Sequence, residues 1–165
     1  MKRILGVDMG EITVNGELSF TFPDRFRIMS EAEMDSMYRD SNHDRAGILD
    51  ETNQTVVVVF WHKAGRFVSK LAGSKEICRA SENRISKRLS KFGYVFDGFY
   101  ERKICGLDAY GFRHRYVRQG IEYTSEITVL KKDRVTYTIY TYVGVEVGDV
   151  DTMVVRDIVD SMRFI

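Results

Sequence analysis

Residues 109–143 read AYGFRHRYVRQGIEYTSEITVLKKDRVTYTIYTYV, and this stretch decides the fold. Apolar and polar residues alternate along three consecutive runs within it, which is typical of β-strands that bury one face. The first two runs are separated by Gln119 and Gly120, a pair suited to a two-residue hairpin turn. The pattern therefore predicts an antiparallel meander of three strands.

The pairing of the first two runs follows from that turn. Counting outwards from it, Arg113 faces Glu126 and His114 faces Ser125. Apolar residues also meet apolar residues along the ladder, and favourable cross-strand pairs contribute roughly 0.2–1 kcal/mol each. A slip by one residue would turn Arg113 into the core, so we predict this register.

The second hairpin is predicted from the length of its loop. A three-residue loop over residues 131–133 places Val129 opposite Val135, whereas a two-residue loop at Lys132 and Asp133 would mix apolar with polar residues. We therefore expect the three-residue loop, with Asp133 near the left-handed conformation, which Asp tolerates.

The rest of the chain adds strands and helices around the meander. Residues 55–62 form a nearly continuous apolar run, which fits a central strand covered on both faces. A long helix is predicted over 74–92, capped by Ser74 and ended by Gly93, and another helix near the C-terminus. The predicted fold class is α+β: an antiparallel sheet of five to seven strands packed with helices in an α/β/α-type sandwich.

Composition indicates an ordinary globular protein. A length of 165 residues with 44% hydrophobic and 30% charged residues predicts a single domain over residues 1–165. No apolar run approaches the roughly 20 residues of a membrane span, and we find no signal-peptide core. We expect a cytoplasmic protein whose two cysteines are reduced.

Several short features resemble the PsbP-like superfamily, which includes a photosystem II extrinsic subunit and a nuclear-import factor that binds the GTPase Ran. The resemblance covers about residues 15–165. Its features are the segment LSFTFP at 18–23, Phe26, the strand ending at Trp61, the helix over 74–92, Gly106, and the closing segment 158–164. The resemblance implies a layered α+β fold without a shared catalytic centre, in a bacterial protein that binds other proteins.

The residues offer little for catalysis. The three histidines, His43, His62 and His114, lie at no metal-ligand spacing from one another or from a cysteine. The chain also lacks a serine nucleophile elbow. We therefore expect no enzyme activity, no catalytic residues, no cofactor and no metal.

Protein binding, as an adaptor or chaperone, is the function that the sequence favours. Its predicted contact surface is the polar side of the meander together with tyrosines, since Tyr and Arg are common at interfaces. The residues of this surface are Arg113, Arg115, Glu126, Tyr140 and Tyr142. The partner is an unidentified protein, and a homodimer is one form that this contact could take.

A small-molecule or lipid-binding domain is the alternative function. In that case a pocket lies between the sheet and the long helix, lined by Trp61, His114, Ser125 and nearby tyrosines. A large pocket with converging polar groups would favour this alternative, and a flat exposed sheet face would favour protein contact.

Positive charge is concentrated in residues 63–91, which hold nine basic and two acidic residues. We interpret this segment mainly as the solvated face of the long helix; the alternative is a docking surface for an acidic protein or nucleic acid. Aromatic residues are not interleaved with the charges, which disfavours binding of single-stranded nucleic acid.

Overall fold

The computed structural model describes residues 2–4, 7–38, 44–64, 73–144 and 149–165. Its strands are β1 Lys2–Ile4, β2 Val7–Val14, β3 Leu18–Pro23, β4 Arg27–Ile28, β5 Arg45–Asp50, β6 Thr55–Lys63, β7 Val95–Ile104, β8 Leu107–Arg118, β9 Ile121–Lys132, β10 Val135–Gly144 and β11 Arg163–Phe164. Its α-helices are α1 Glu31–Met37, α2 Ser74–Arg88 and α3 Asp149–Asp160. None of these helices is both long and apolar enough to cross a membrane.

Two antiparallel sheets organise these strands. The larger sheet has seven strands in the order β4-β5-β6-β10-β9-β8-β7, and the smaller has the order β1-β2-β3-β11. The predicted α+β class, with an antiparallel sheet of five to seven strands, is confirmed.

Each face of the larger sheet carries its own hydrophobic core. The first core joins that sheet to the smaller sheet and to α3, and its centre includes Phe20, Val57, Tyr137 and Ile158. The second core lies under α1 and α2 and includes Met34, Val58, Ile85, Phe112 and Ile127. The central strands are therefore buried on both sides, as residues 55–62 predicted.

The first hairpin of the meander has the predicted register. Gln119 and Gly120 both adopt left-handed backbone conformations, with φ of +53° and +76°. Arg113 faces Glu126, with Nε 2.6 Å from Oε1, and His114 faces Ser125. The turn chemistry and the polarity of the two strands agree here, which is why counting from the turn succeeds.

The predicted register of the second hairpin is wrong. Asp133 has the expected left-handed φ of +55°, but Val135 pairs with Lys132, so the loop is the two-residue pair Asp133 and Arg134. Val129 consequently faces Thr138 instead of Val135. The difference is an odd number of residues, and it moves every β10 side chain to the opposite face of the sheet.

The long helix differs from its prediction at both ends. Its N-cap is Gly73, so Ser74 is the first helical residue and its side chain makes no capping hydrogen bond. Helix α2 is followed by a short 3-10 turn over Ser90–Phe92, and Gly93 ends that turn with a φ of +67°, as predicted. Phe92 is 40% exposed, so the buried stripe of the helix does not extend to it.

Candidate ligand pocket

A cavity of about 630 Å³ lies between α2 and the larger sheet. Its walls come from α2, from the end of α1, and from strands β6, β8, β9 and β10. The volume is within the range of small-molecule pockets, roughly 300–1,000 Å³. The predicted alternative placed a pocket between these same two elements.

Aromatic rings form a continuous wall of the cavity. The centroids of His114 and Tyr116 are 5.8 Å apart, and those of Tyr116 and Tyr142 are 6.5 Å apart. Tyr140 continues the wall at 6.3 Å from Tyr142, and Phe60 follows at 5.1 Å from Tyr140. These separations are those of favourable aromatic pairs. The wall therefore crosses the sheet from β8 through β10 to β6.

His114 brings an unsatisfied polar group to this wall. Its side chain is 1% exposed, and neither Nδ1 nor Nε2 has a hydrogen-bond partner among the described residues. Burial lowers the pKa of His114 to about 4, with the charge of Asp97 opposing the shift. The ring is therefore neutral near pH 7 and carries one free donor and one free acceptor.

Ser125 lies between two of the pocket residues. It faces His114 on β8 and Tyr142 on β10, and it is 0% exposed. Its hydroxyl also lacks a hydrogen-bond partner within the described parts of the chain. Two buried polar side chains in register are thus left unsatisfied, a costly arrangement that is uncommon in native proteins.

Tyrosine hydroxyls add further polar atoms. Tyr38, which directly follows α1, donates a hydrogen bond to the hydroxyl of Tyr142 at 3.3 Å. Burial raises the pKa of both phenols well above 10, so both are protonated at neutral pH. The cavity is therefore apolar in its walls, with neutral donors and acceptors at a few points.

Three guanidinium groups supply the charge of the lining. Arg84 and Arg88 come from α2, and Arg118 ends β8; all three are exposed. No Asp or Glu belongs to the lining formed by the described residues. Of the basic segment 63–91, Arg84 and Arg88 are thus turned to the pocket, while Arg66 and Lys70 lie outside the described residues.

The structure places the predicted pocket residues close to the cavity. Trp61 and His114 line it, although Trp61 also packs against the first core. Ser125 lies in the sheet between lining residues and is not itself part of the lining.

The predicted contact surface is divided between the two faces of the larger sheet. Arg113, Arg115 and Glu126 lie on one face, whereas Tyr140 and Tyr142 lie on the other, in the pocket wall. The expectation that these five residues share a face is wrong, because it depended on the three-residue loop. A contact role for the charged residues alone stays a prediction.

The charged residues of that surface pair with carboxylates. Nε of Arg115 lies 2.7 Å from Oδ2 of Asp97, next to the ion pair of Arg113 and Glu126. The guanidinium of Arg113 also lies 4.7 Å from the ring centroid of Tyr100. Exposed pairs of this kind stabilise a protein by about 1 kcal/mol or less.

The described residues contain no cluster of three His, Cys, Asp or Glu that could hold a metal ion. Cys78 is buried and Cys105 exposed, and both are free thiols. His43 lies outside the described residues, while His62 lines the cavity.

Sequence reasoning missed the residues that reach the pocket from distant segments. Met37 ends α1 and Tyr38 directly follows it, whereas Arg118, which was also missed, ends β8, the strand that carries His114. Helix α1 begins with a capping box of Ser30 and Glu33, a local signal that says nothing about the face on which the helix packs. A signal was present in Arg84 and Arg88, which share a helix face with Ile77 and Ile85.

The chain matches no protein-family model and no curated protein. Its structure is similar to the solution structure of cyanobacterial PsbP (CyanoP) from Synechocystis sp. PCC 6803, with a TM-score of 0.70 and 10% identity over 96% of this chain and 94% of the other. It is also similar to LpqN, involved in cell envelope biogenesis of Mycobacterium tuberculosis, with a TM-score of 0.53 and 15% identity over 94% of this chain and 91% of the other.

A crystal structure from Bacteroides thetaiotaomicron VPI-5482 gives a TM-score of 0.61 and 10% identity over 94% of this chain and 48% of the other. Identities this low show the fold alone. The chain has a PsbP-like fold, as its sequence predicted.

Proposed function

We propose that this chain is a binding domain without enzyme activity and that the cavity under α2 takes a small molecule. The observation that carries the proposal is an open cavity of about 630 Å³ with a wall of aromatic rings, lined in part by His114, whose ring nitrogens have no hydrogen-bond partner among the described residues. A buried polar group without a partner costs about 1–3 kcal/mol, and a ligand that hydrogen-bonds to the His114 ring would remove part of that cost.

Thr138→Trp tests this proposal. Thr138 lines the cavity and is partly exposed, so a larger side chain there fills the space without replacing a core residue. Thr152→Trp, at an exposed position on α3, is the matched control. Each protein is incubated with a small-molecule extract of cells and isolated by size exclusion, and the retained compounds are identified by mass spectrometry.

We expect the original chain and Thr152→Trp to retain the same compounds and Thr138→Trp to lose them. If Thr138→Trp retains the same set at the same level, or if the original chain retains nothing, the proposal is wrong. Circular dichroism and thermal unfolding of each variant establish that the comparison is between folded proteins.

Protein binding is the second candidate function, and strand β7 favours it. This strand is an edge of the larger sheet, and its Phe96 and Phe99 are 42% and 48% exposed, with ring centroids 4.9 Å apart. Unpaired apolar edge strands pair readily with a further strand. A second copy of this chain, paired through β7, is the occupant that we propose.

Sedimentation velocity over a range of concentrations tests the dimer. We expect self-association that is lost in the Phe96→Ser and Phe99→Ser double variant and kept in Phe92→Ser, whose ring is similarly exposed but lies outside β7. A chain that stays monomeric at every concentration would exclude this second candidate.

A further inference from the structure

We propose that the pocket under α2 selects an organic anion, with its charged group at Arg84, Arg88 and Arg118 and its apolar body on the aromatic wall. This inference rests on the proposed small-molecule function and names the chemical class of the ligand. Its basis is the charge of the lining and the arrangement of the three arginines.

The three arginines border the same cavity from two elements. Arg84 and Arg88 are four residues apart on α2, so their side chains leave the same face of the helix. Arg118 reaches the cavity from the end of β8. Ile85 and Leu89, on the same side of the helix, cover the apolar part of the cavity.

None of these three guanidinium groups has a hydrogen bond or an ion pair with another described residue. Elsewhere, several arginines meet a carboxylate: Arg25 meets Asp50, and Arg102 meets Asp160. The lining itself contains no carboxylate from the described residues. Among the described residues, no carboxylate of the lining compensates this positive charge, and a bound anion would neutralise it.

Guanidinium chemistry favours an oxyanion over a halide. Its planar N–H groups match the geometry of a carboxylate, sulfonate or phosphate, and such charge-assisted hydrogen bonds are among the strongest in proteins. Tyr38, which also lines the cavity, has a pKa raised mainly by burial, and the charge of Arg88 opposes that shift.

The inner wall specifies the remainder of the ligand. Rings from His114 through Tyr116, Tyr142 and Tyr140 to Phe60 form a flat and mostly apolar surface along the cavity. A small inorganic anion would leave this wall uncovered. We therefore infer an amphiphilic molecule with an apolar or aromatic body and one anionic end.

Two fluorescent probes with the same ring skeleton test the inference. Anilinonaphthalene sulfonate carries the anionic group, and phenylnaphthylamine lacks it. Because a charged hydrogen bond contributes about 1.5–3 kcal/mol, we expect the sulfonate to bind the original chain at least about tenfold more tightly. The Arg84→Gln and Arg88→Gln double variant and Arg118→Gln should each weaken the sulfonate about tenfold and leave phenylnaphthylamine unchanged.

Lys87→Gln is the matched control, because Lys87 is exposed on the same helix but does not line the cavity. It should bind both probes as the original chain does. Equal affinity for the two probes, with no effect of the arginine variants, would overturn the inference while leaving the pocket intact. Binding of neither probe, or binding that Thr138→Trp does not reduce, would count against the proposed function itself.

Competition with inorganic phosphate distinguishes the contribution of the anionic group from that of the apolar part of the ligand. If phosphate alone at millimolar concentration displaces the sulfonate probe completely, the arginines form a plain anion site and the two-part ligand is wrong. We expect phosphate to compete weakly and not to displace phenylnaphthylamine.

Discussion

His114 on β8 and Ser125 on β9 face each other across the sheet, both almost completely buried and both without a hydrogen-bond partner among the described residues. Each unsatisfied group costs about 1–3 kcal/mol in the unliganded protein. The pair therefore destabilises the fold at the place where the cavity meets the sheet, as is common where structure is shaped by binding.

Ser125→Ala is expected to leave the free energy of unfolding unchanged or raise it by about 1 kcal/mol, because it removes a buried hydroxyl that has no partner. Ser19→Ala is the matched control. Ser19 is equally buried, but its hydroxyl donates a hydrogen bond to Glu11 at 2.8 Å, so its loss should cost about 1 kcal/mol. Urea unfolding measures both changes. An equal loss in the two variants would show that the Ser125 hydroxyl is satisfied.

The pH dependence of stability should carry a contribution from His114. The folded protein keeps this ring neutral down to about pH 4, whereas the unfolded chain binds the proton near pH 6.5. The unfolded state thus holds more protons between these values, so the free energy of unfolding falls as the pH decreases from 6.5 to 4.

His114→Gln should reduce that fall by an amount on the order of 2 kcal/mol. Thr152→Gln, a change at an exposed residue whose side chain does not titrate, should keep the original slope. Urea unfolding at several pH values measures the slopes, and identical slopes for His114→Gln and the original chain would contradict the prediction.

Arg25→Gln is expected to lower the free energy of unfolding by about 2–3 kcal/mol, because it leaves two buried carboxylates without their cation. Nε of Arg25 lies 3.1 Å from Asp50 and Nη2 lies 2.7 Å from Asp151. Arg113→Gln breaks the exposed pair with Glu126 and should cost less than about 1 kcal/mol. Thermal and urea unfolding compare the two, and similar losses would contradict this ranking.

Gly111→Ala should destabilise the protein by about 3 kcal/mol through overpacking. A methyl group there would lie 2.7 Å from the carbonyl oxygen of Ile127 and would also meet the ring of Tyr100. Gly120→Ala is the comparison: it meets no atom within 4 Å and carries only the strain of a φ of +76°, about 1 kcal/mol.

A double-mutant cycle sharpens this test. Tyr100→Ala should cost less in the Gly111→Ala background than alone, because it relieves part of the clash. Additive effects would show that the Tyr100 ring does not cover Gly111.

The two hairpins show what the sequence could and could not predict. The two faces of the first hairpin differ in polarity. Arg113 could therefore pair only with a residue on the polar face of β9, and the turn at Gln119 fixed the register. Strand β10 buries side chains on both faces, among them Ile139 and Tyr140. The alternation of residues along β10 therefore does not show which side chains point to which face of the sheet, and this orientation depends on the length of the loop before the strand.

The pocket was predictable in position but not in composition. The sequence placed His114 on the buried face of β8 because the predicted register of the first hairpin was correct. Arg118 is four residues from His114 on the same strand. Tyr38, in contrast, approaches the cavity from a distant part of the chain, and its position depends on how α1 packs on the second core. Such long-range packing leaves no periodic signal in the segment around Tyr38.

The two-residue turn at Asp133 and Arg134 sets the chemical character of the cavity. It presents Thr136, Thr138, Tyr140 and Tyr142 to the pocket and hides Val135, Tyr137 and Ile139 in the first core. Inserting one residue in this loop would exchange this set for Val135, Tyr137 and Ile139 without any substitution in the strand. The length of this surface loop therefore decides which side chains of β10 face the cavity.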